Sequence, residues 1–256
     1  MRPHLAASGM TRSILSKLRV RTLWRDVCAL RYRSDLNRLA RLCETDKWGS
    51  HFYTQHYMRY FAPFRKQRLN LLEIGVGGYQ FGEGGNSLRM WRFYFPKARI
   101  VGIDLYDKTY LSHKRVDVFQ CDQTDDEKLK RICRGYGGFD IIIDDGSHVN
   151  KHVIQTFRSL FPFLRSSGYY CIEDLQTAYW PHWGATKGQA SMDFLRSLID
   201  GLNYAEDPEQ EEPSYYALNI TEIAFFHNLC IVRKGLNNEP SNARQPTFIG
   251  DQRHRR

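Results

Sequence analysis

Apolar and polar positions follow two different periods along this chain. Five short runs, "LNLLEIG" (69–75), "RIVGID" (99–104), "VDVFQC" (116–121), "FDIIIDD" (139–145) and "GYYCIED" (168–174), are mostly apolar, the pattern of strands buried on both faces. Between them, "SLRMWRFYF" (87–95), "DDEKLKRIC" (125–133) and "HVIQTFRSLFPFL" (152–164) carry apolar residues at helical spacing, and the last admits Pro162 only near its end. Such alternation predicts right-handed βαβ crossovers and an α/β fold, with an open, mostly parallel, doubly wound sheet covered on both faces. A further helix is predicted near residues 188–202. "ITEIAFFH" (220–227) and "LCIVRK" (229–234), with only Asn228 between them, read as a closing hairpin-like pair that makes the last strand antiparallel. Residues 205–214, "AEDPEQEEPS", read as an exposed acidic loop, and no internal repeat is present.

Composition narrows this picture. With 256 residues, 42% of them hydrophobic, the chain is long enough for one sizeable core and short for two. The expected organisation is a basic N-terminal extension over 1–35, one domain over 36–235 and a flexible basic tail over 236–256. The net charge of +9 lies in the ends: residues 1–33 hold eight Arg or Lys against Asp26, and residues 244–256 hold four Arg against Asp251. A phosphate-gripping protein spreads its cations over a folded face, so nucleic acid is not expected as a partner. The six cysteines form no CxxC pair and no metal-ligand spacing, and several sit inside apolar runs, as reduced cysteine does in a cytoplasmic protein. No stretch approaches the roughly 18 apolar residues of a membrane span, and the Arg-studded N-terminus lacks a signal peptide's apolar segment.

Ligands of open α/β sheets sit beyond the carboxyl ends of the strands, which makes the polar residue ending each run the candidate. The first run ends "LLEIGVGGYQFGEGG", where Glu73, Gly75, Gly77 and Gly78 form a turn with no side chains in the way of a nucleotide-type cofactor. A nicotinamide fingerprint would need glycine where Gln80 stands, and a plain tight turn is the alternative. The second run ends at Asp104, suited to accept bonds from ribose hydroxyls; the third is followed by Asp122 and Gln123, suited to an adenine edge. The fourth and fifth runs each end in paired acids, Asp144 with Asp145 and Glu173 with Asp174. If those strands are neighbours, the carboxylates crowd one rim and form an oxygen-rich site for Mg²⁺ or a similar hard ion. Helix capping is the plainer explanation of such acids. His148, a short step beyond Asp145, favours the metal reading, because a histidine beside a metal-bound hydroxyl is a natural general base.

"ETDKWGSHFYTQHYMRYFAPFR", "LLEIGVGGY", "GGNSLRMWRFYFPKARIVGIDLYDK", "DDGSH" and "IEDLQTAYWPHWG" together resemble the class I S-adenosylmethionine-dependent sugar O-methyltransferases of the mycinamicin and demethylmacrocin type, in order, from about residue 36 to 234. The resemblance implies a Rossmann-like class I methyltransferase fold. It also implies Mg²⁺ held by Asp145, Glu173 and Asp174, and His148 as general base. Cofactor contacts are implied around Glu73, Gly75, Gly77, Ser87, Asp104, Asp122, Gln123 and Asp144, with "TDKW", and Thr45 in it, packed over the cofactor. The turn departs from the general pattern E-x-G-x-G-x-G by carrying Tyr79 at the third glycine. The implied reaction is Mg²⁺-dependent methyl transfer to a hydroxyl of a sugar or glycoside. Tyr179, Trp180, His182 and Trp183 would offer the acceptor an aromatic platform, although aromatic residues packing a loop onto a core look the same in sequence. A metal-dependent catechol-type methyltransferase and a non-catalytic cofactor-binding module are the alternatives.

Near the N-terminus, Ile14, Leu15, Leu18, Leu23, Trp24, Val27 and Leu30 recur at near-helical spacing with Lys17, Arg19, Arg21 and Arg25 between them. Such a stripe suits either a weak contact with an anionic membrane surface through residues 14–30 or packing on the domain or a second subunit, so a homo-oligomer is expected.

Overall fold

The computed structural model describes residues 25–207 and 212–241. Most of the N-terminal stripe, including Ile14, Leu15, Leu18, Leu23 and Trp24, lies outside the described residues, as do the basic tail from residue 242 and residues 208–211 of the acidic loop. Of the stripe, Val27 and Leu30 are described, both exposed on a helical stretch over residues 25–31. Among the described residues no helix is long and apolar enough to cross a membrane.

Seven strands form one sheet: β1 (Asn70–Ile74), β2 (Arg99–Asp104), β3 (Val116–Gln120), β4 (Phe139–Asp144), β5 (Leu164–Ile172), β6 (Ile220–Phe226) and β7 (Leu229–Lys234), in the order β3-β2-β1-β4-β5-β7-β6. β1 pairs parallel with β4 and β4 with β5, whereas β7 runs antiparallel to both β5 and β6. The chain divides into two compact units: the described parts of Met1–Leu69, Val76–Gly102 and Tyr106–Gln120 in one, and of Asn70–Gly75, Ile103–Leu105 and Cys121–Arg256 in the other.

In the first unit, α1 (Leu36–Cys43) starts at Asp35, whose carboxylate accepts the Arg38 N–H at 3.0 Å. It ends where Glu44 turns left-handed. It buries Leu36, Leu39, Ala40 and Cys43, one stripe at helical spacing, against α2 (Tyr53–Phe61) and α3 (Asn86–Tyr94). Tyr57, Phe61, Trp91 and Phe95 interlock there, Tyr57 stacked on Phe61 at 5.0 Å and edge-on to Trp91 at 5.6 Å.

In the second unit, Ile141, Ile142 and Ile143 of β4 are fully buried, as a strand between two parallel neighbours requires. α4 (Asp126–Tyr136) is capped by Asp125 and stops at the left-handed Gly137. α5 (Asn150–Leu160) gives way at Pro162 to a short 3₁₀ turn, Phe161–Phe163. Phe157 of α5 packs edge-on to Tyr170 of β5 at 4.8 Å and to Phe194 of α6 (Ser191–Leu202) at 5.4 Å. α7 (Tyr215–Asn219) leads into β6.

Strand boundaries differ from the sequence reading in two places. β5 begins at Leu164 rather than near Gly168, because a register shift opposite Phe139 and Ile141 and a left-handed Ser167 let the polar "RSS" join the strand. The β6–β7 turn is His227–Asn228, with Asn228 at φ 60°, so two residues rather than one make the connection. Between β2 and β3 the described chain forms a 3₁₀ turn, Thr109–Leu111, and no α-helix.

Candidate functional site

β4 carries its buried apolar run straight to Asp144, whose side chain is itself buried. Burial pushes this carboxyl up to about 7; the Gly146 N–H works against that, the Asp145 charge adds to it, and the Tyr170 hydroxyl, donating at 3.5 Å, opposes it. Burial likewise holds the Tyr170 phenol well above its ordinary range. The next residue, Asp145, prolongs the ladder, its N–H donating to Ile74 O at 3.0 Å, and its carboxylate is half-buried at the rim. On β5 the same split occurs. Glu173 is buried, with its N–H on Asp144 O at 3.0 Å, and Asp174 turns left-handed at φ 55° and reaches the rim.

His148 is left-handed too, at φ 56°. Its Nε2 lies 3.7 Å from Asp145 Oδ1 and 3.5 Å from Asp174 Oδ2. The donor atoms of Asp145, His148 and Asp174 all fall within 4.8 Å of one another. The two rim carboxylates offer oxygen ligands to one hard divalent ion, which fits Mg²⁺, and the imidazole stands beside them. Of the expected ligands the structure brings Asp145 and Asp174 together; Glu173, one residue away in sequence, stands outside this group among the described residues.

The expected cofactor residues fall into three environments. In the turn after β1, Gly75 has φ 79° and its N–H bonds Ile103 O at 2.9 Å; a Cβ there would come within 2.0 Å of Asp145 O, so only glycine fits. Glu73 is fully buried on β1. Gly77, at φ 76°, faces open space where a Cβ would stand, a bare stretch of main chain of the kind a cofactor can approach. Ser87 is buried in the first turn of α3, and Thr45 is buried after α1. Asp104 ends β2 half-buried. Asp122 is exposed, accepting from the Thr124 N–H and hydroxyl at 2.8 Å each, and these bonds hold its carboxyl below the usual range. Gln123 is buried with its amide already engaged: Nε2 donates to Thr156 Oγ1 at 2.9 Å, and Oε1 accepts the Ser147 N–H at 2.6 Å.

The acceptor candidates form a short aromatic face. Tyr179, Trp180 and His182 are exposed, Trp183 is half-buried, and Trp180 stacks on His182 at 5.9 Å. Trp183 lies 6.1 Å from the His148 ring, and its carbonyl accepts from Asn150 Nδ2 at 3.0 Å, which ties the segment to α5.

One residue escaped sequence reasoning. Lys108, 2% exposed, donates its ammonium to Gly82 O within the glycine-rich loop, beside Tyr110, whose hydroxyl donates to Glu83 O at 2.6 Å. A lysine in "LYDK" reads as solvated, and nothing in the one-dimensional pattern marks it as buried.

No protein-family model matches the chain. The mycinamicin VI 2''-O-methyltransferase of Micromonospora griseorubida is 45% identical to it over 219 residues, 81% of this chain and 54% of that protein. The demethylmacrocin O-methyltransferase of Streptomyces fradiae is 42% identical over 216 residues, 81% of this chain and 55% of that protein. Among solved structures, the MycE methyltransferase from the mycinamycin biosynthetic pathway, in complex with Mg, SAH and mycinamycin VI, superposes with a TM-score of 0.78 at 45% identity, covering 80% of this chain and 55% of that chain. The chain spans about half the length of the curated relatives it matches. Over that shared part, with its mostly parallel seven-stranded sheet, it has the class I Rossmann-like methyltransferase fold and is a homologue of the sugar O-methyltransferases of macrolide and tetracenomycin pathways.

Proposed function

We propose that this chain carries out Mg²⁺-dependent transfer of a methyl group from S-adenosylmethionine to a hydroxyl of a sugar or glycoside. The observation that carries this reading is the meeting of Asp145, His148 and Asp174 at adjoining strand ends, donor atoms within 4.8 Å of one another. Relatives that methylate glycosides, at 42–45% identity, support the acceptor class.

Asp145 and Asp174 would hold the metal, with Glu173 completing the set as the resemblance implies. When bound, Mg²⁺ supplies charge that makes an acceptor hydroxyl more acidic, and S-adenosylmethionine supplies the electrophilic methyl group. The chain's own residues do the rest. His148 takes the hydroxyl proton at Nε2, and the carboxylates at 3.5 and 3.7 Å stabilise the imidazolium that results. Trp183, at 6.1 Å from that ring, and the exposed Tyr179, Trp180 and His182 offer an apolar face to a pyranose and orient the hydroxyl for in-line attack. Gly77 leaves the main chain bare, and Asp104 at the end of β2 accepts from a ribose.

The test is methyl transfer from labelled S-adenosylmethionine to a panel of glycosides and a panel of catechols, each with and without chelator. Transfer to glycosides that stops in chelator and returns with Mg²⁺ is expected. Full activity in chelator removes the metal, preference for catechols moves the acceptor class, and binding of cofactor with no transfer to any acceptor leaves a binding module.

A further inference from the structure

The mechanism above leaves unused a buried polar cluster that joins α5 to the loop carrying His148. Thr156, fully buried on α5, donates its hydroxyl to His152 O at 2.7 Å, with Gln123 O at 3.3 Å, and accepts from Gln123 Nε2 at 2.9 Å. Gln123 in turn accepts the Ser147 N–H at 2.6 Å. The Ser147 hydroxyl lies 2.9 Å from His152 Nδ1 and accepts the Val149 N–H at 3.4 Å. The residues on either side of His148 are thus bonded, through main chain or side chain, into a network rooted on α5.

His148 needs such support. A non-glycine residue at φ 56° costs on the order of 1 kcal/mol and persists only where its surroundings over-determine it. Gly146 shows how closely the support is fitted: a Cβ there would fall 2.3 Å from Gln123 Oε1, so the amide oxygen fills the space that the glycine of "DDGSH" leaves. The same amide, 7% exposed and bonded at both ends, is poorly placed to read an adenine.

We propose that Gln123 and Thr156 are positioning residues for His148, fixing the Ser147–Val149 turn so that the imidazole meets Asp145 and Asp174, and that the Gln123 amide serves this brace and not the cofactor. The proposal rests on His148 being the proton acceptor.

Three substitutions test it. Thr156→Val removes the hydroxyl at constant shape, Gln123→Met removes both amide bonds, and Thr156→Ser keeps the hydroxyl. The first readout needs no turnover: amide exchange at Ser147, followed by NMR, is expected to speed up at least about tenfold in Thr156→Val and Gln123→Met, with the His148 ring signals shifted. Thr156→Ser is expected to restore both. Affinity for SAH, measured by calorimetry, should stay within about threefold of the parent, while kcat falls about 10- to 100-fold and KM for the acceptor changes little. If Gln123→Met weakens SAH binding about tenfold or more with Ser147 exchange unchanged, the amide reads the cofactor and the proposal is wrong. Faster exchange with kcat unchanged, under conditions where chemistry limits the rate, also overturns it. A parent protein that transfers no methyl group removes the functional reading instead, and the exchange rates and ring shifts then still decide whether the brace holds the turn. Should Thr156→Val fail to fold, Gln123→Met carries the same comparison.

Discussion

Asp144 with Asp145 at the end of β4, and Glu173 with Asp174 at the end of β5, each send the first carboxylate inward and the second to the rim. In each pair the first acid is still held within the sheet, Asp144 as the last residue of β4 and Glu173 by its N–H on Asp144 O, and the second lies one residue further out. The two pairs differ in how the rim residue is delivered. Asp145 continues the β1–β4 ladder without backbone strain, and its loop reserves the left-handed conformation for His148 three residues on; on β5 it is Asp174 itself that turns left-handed. Paired acids in a sequence are therefore two different residues in the fold: an interior one, which for Asp144 means a carboxyl pushed up by burial, and a rim one available to a cation. The choice of acid over glycine at the strained position is informative as well, because glycine would hold that backbone at no cost and asparagine nearly so.

The comparison breaks most sharply if a rim carboxylate is removed. Asp145→Ala and Asp174→Asn are each expected to lower kcat by on the order of 10⁴, the several kcal/mol that a metal's charge is worth, while SAH still binds in a calorimeter. Asparagine is the informative change at 174, because it tolerates the left-handed backbone and removes only the charge. His148→Ala should cost less, on the order of 10³ in kcat with SAH affinity little changed; an unchanged kcat in single-turnover measurements would make the imidazole a spectator.

The interior acid should matter least to turnover and most to pH. In the metal-free protein burial pushes the Asp144 carboxyl up to about 7 from an ordinary 3.8, so between those values the native state is expected to hold a proton that the unfolded chain has lost. Stability then falls as pH rises through that window and levels off above it, by at most about 1.4 kcal/mol per pH unit. Asp144→Asn, which keeps the shape of the neutral acid, should flatten this slope in chelator, as urea titrations at pH 4.5 and 7 would show. Parallel slopes in the two proteins would mean that Asp144 stays charged inside the fold.

Much of this arrangement was legible beforehand, for reasons that also explain what was not. β1 to β4 fall within a residue or so of their apolar runs because each has a compact apolar centre bounded by polar or glycine residues. The acids at the mouths of β4 and β5 could be placed together once the strands were taken as neighbours. α2 went unread because "YTQHYMRYF" is rich in tyrosine and weak in helix formers, and its order comes from burying Tyr53, Tyr57 and Phe61 against other helices. α1 had a cue in Asp35 ahead of the Leu36, Leu39, Ala40 and Cys43 stripe. The bonds joining Gln123, Ser147 and Thr156 span 24 and 33 residues, and no local pattern encodes contacts of that range. For the same reason the sequence cannot divide Gln123 between cofactor and brace: a polar residue after a strand reads identically whether it faces a ligand or a neighbouring loop.

Gly75 bears on how such enzymes diversify. The turn after β1 and the loop after β4 touch main chain to main chain there, with no room for even a methyl group between Gly75 and Asp145 O. The spacing between the loop that would face the methyl donor and the loop that would hold the acceptor is thus a backbone dimension, which side-chain drift cannot retune. The exposed aromatic residues Tyr179, Trp180 and His182 are under no such constraint, so new acceptors would be acquired by rewriting that face while the distance the methyl group travels is inherited unchanged.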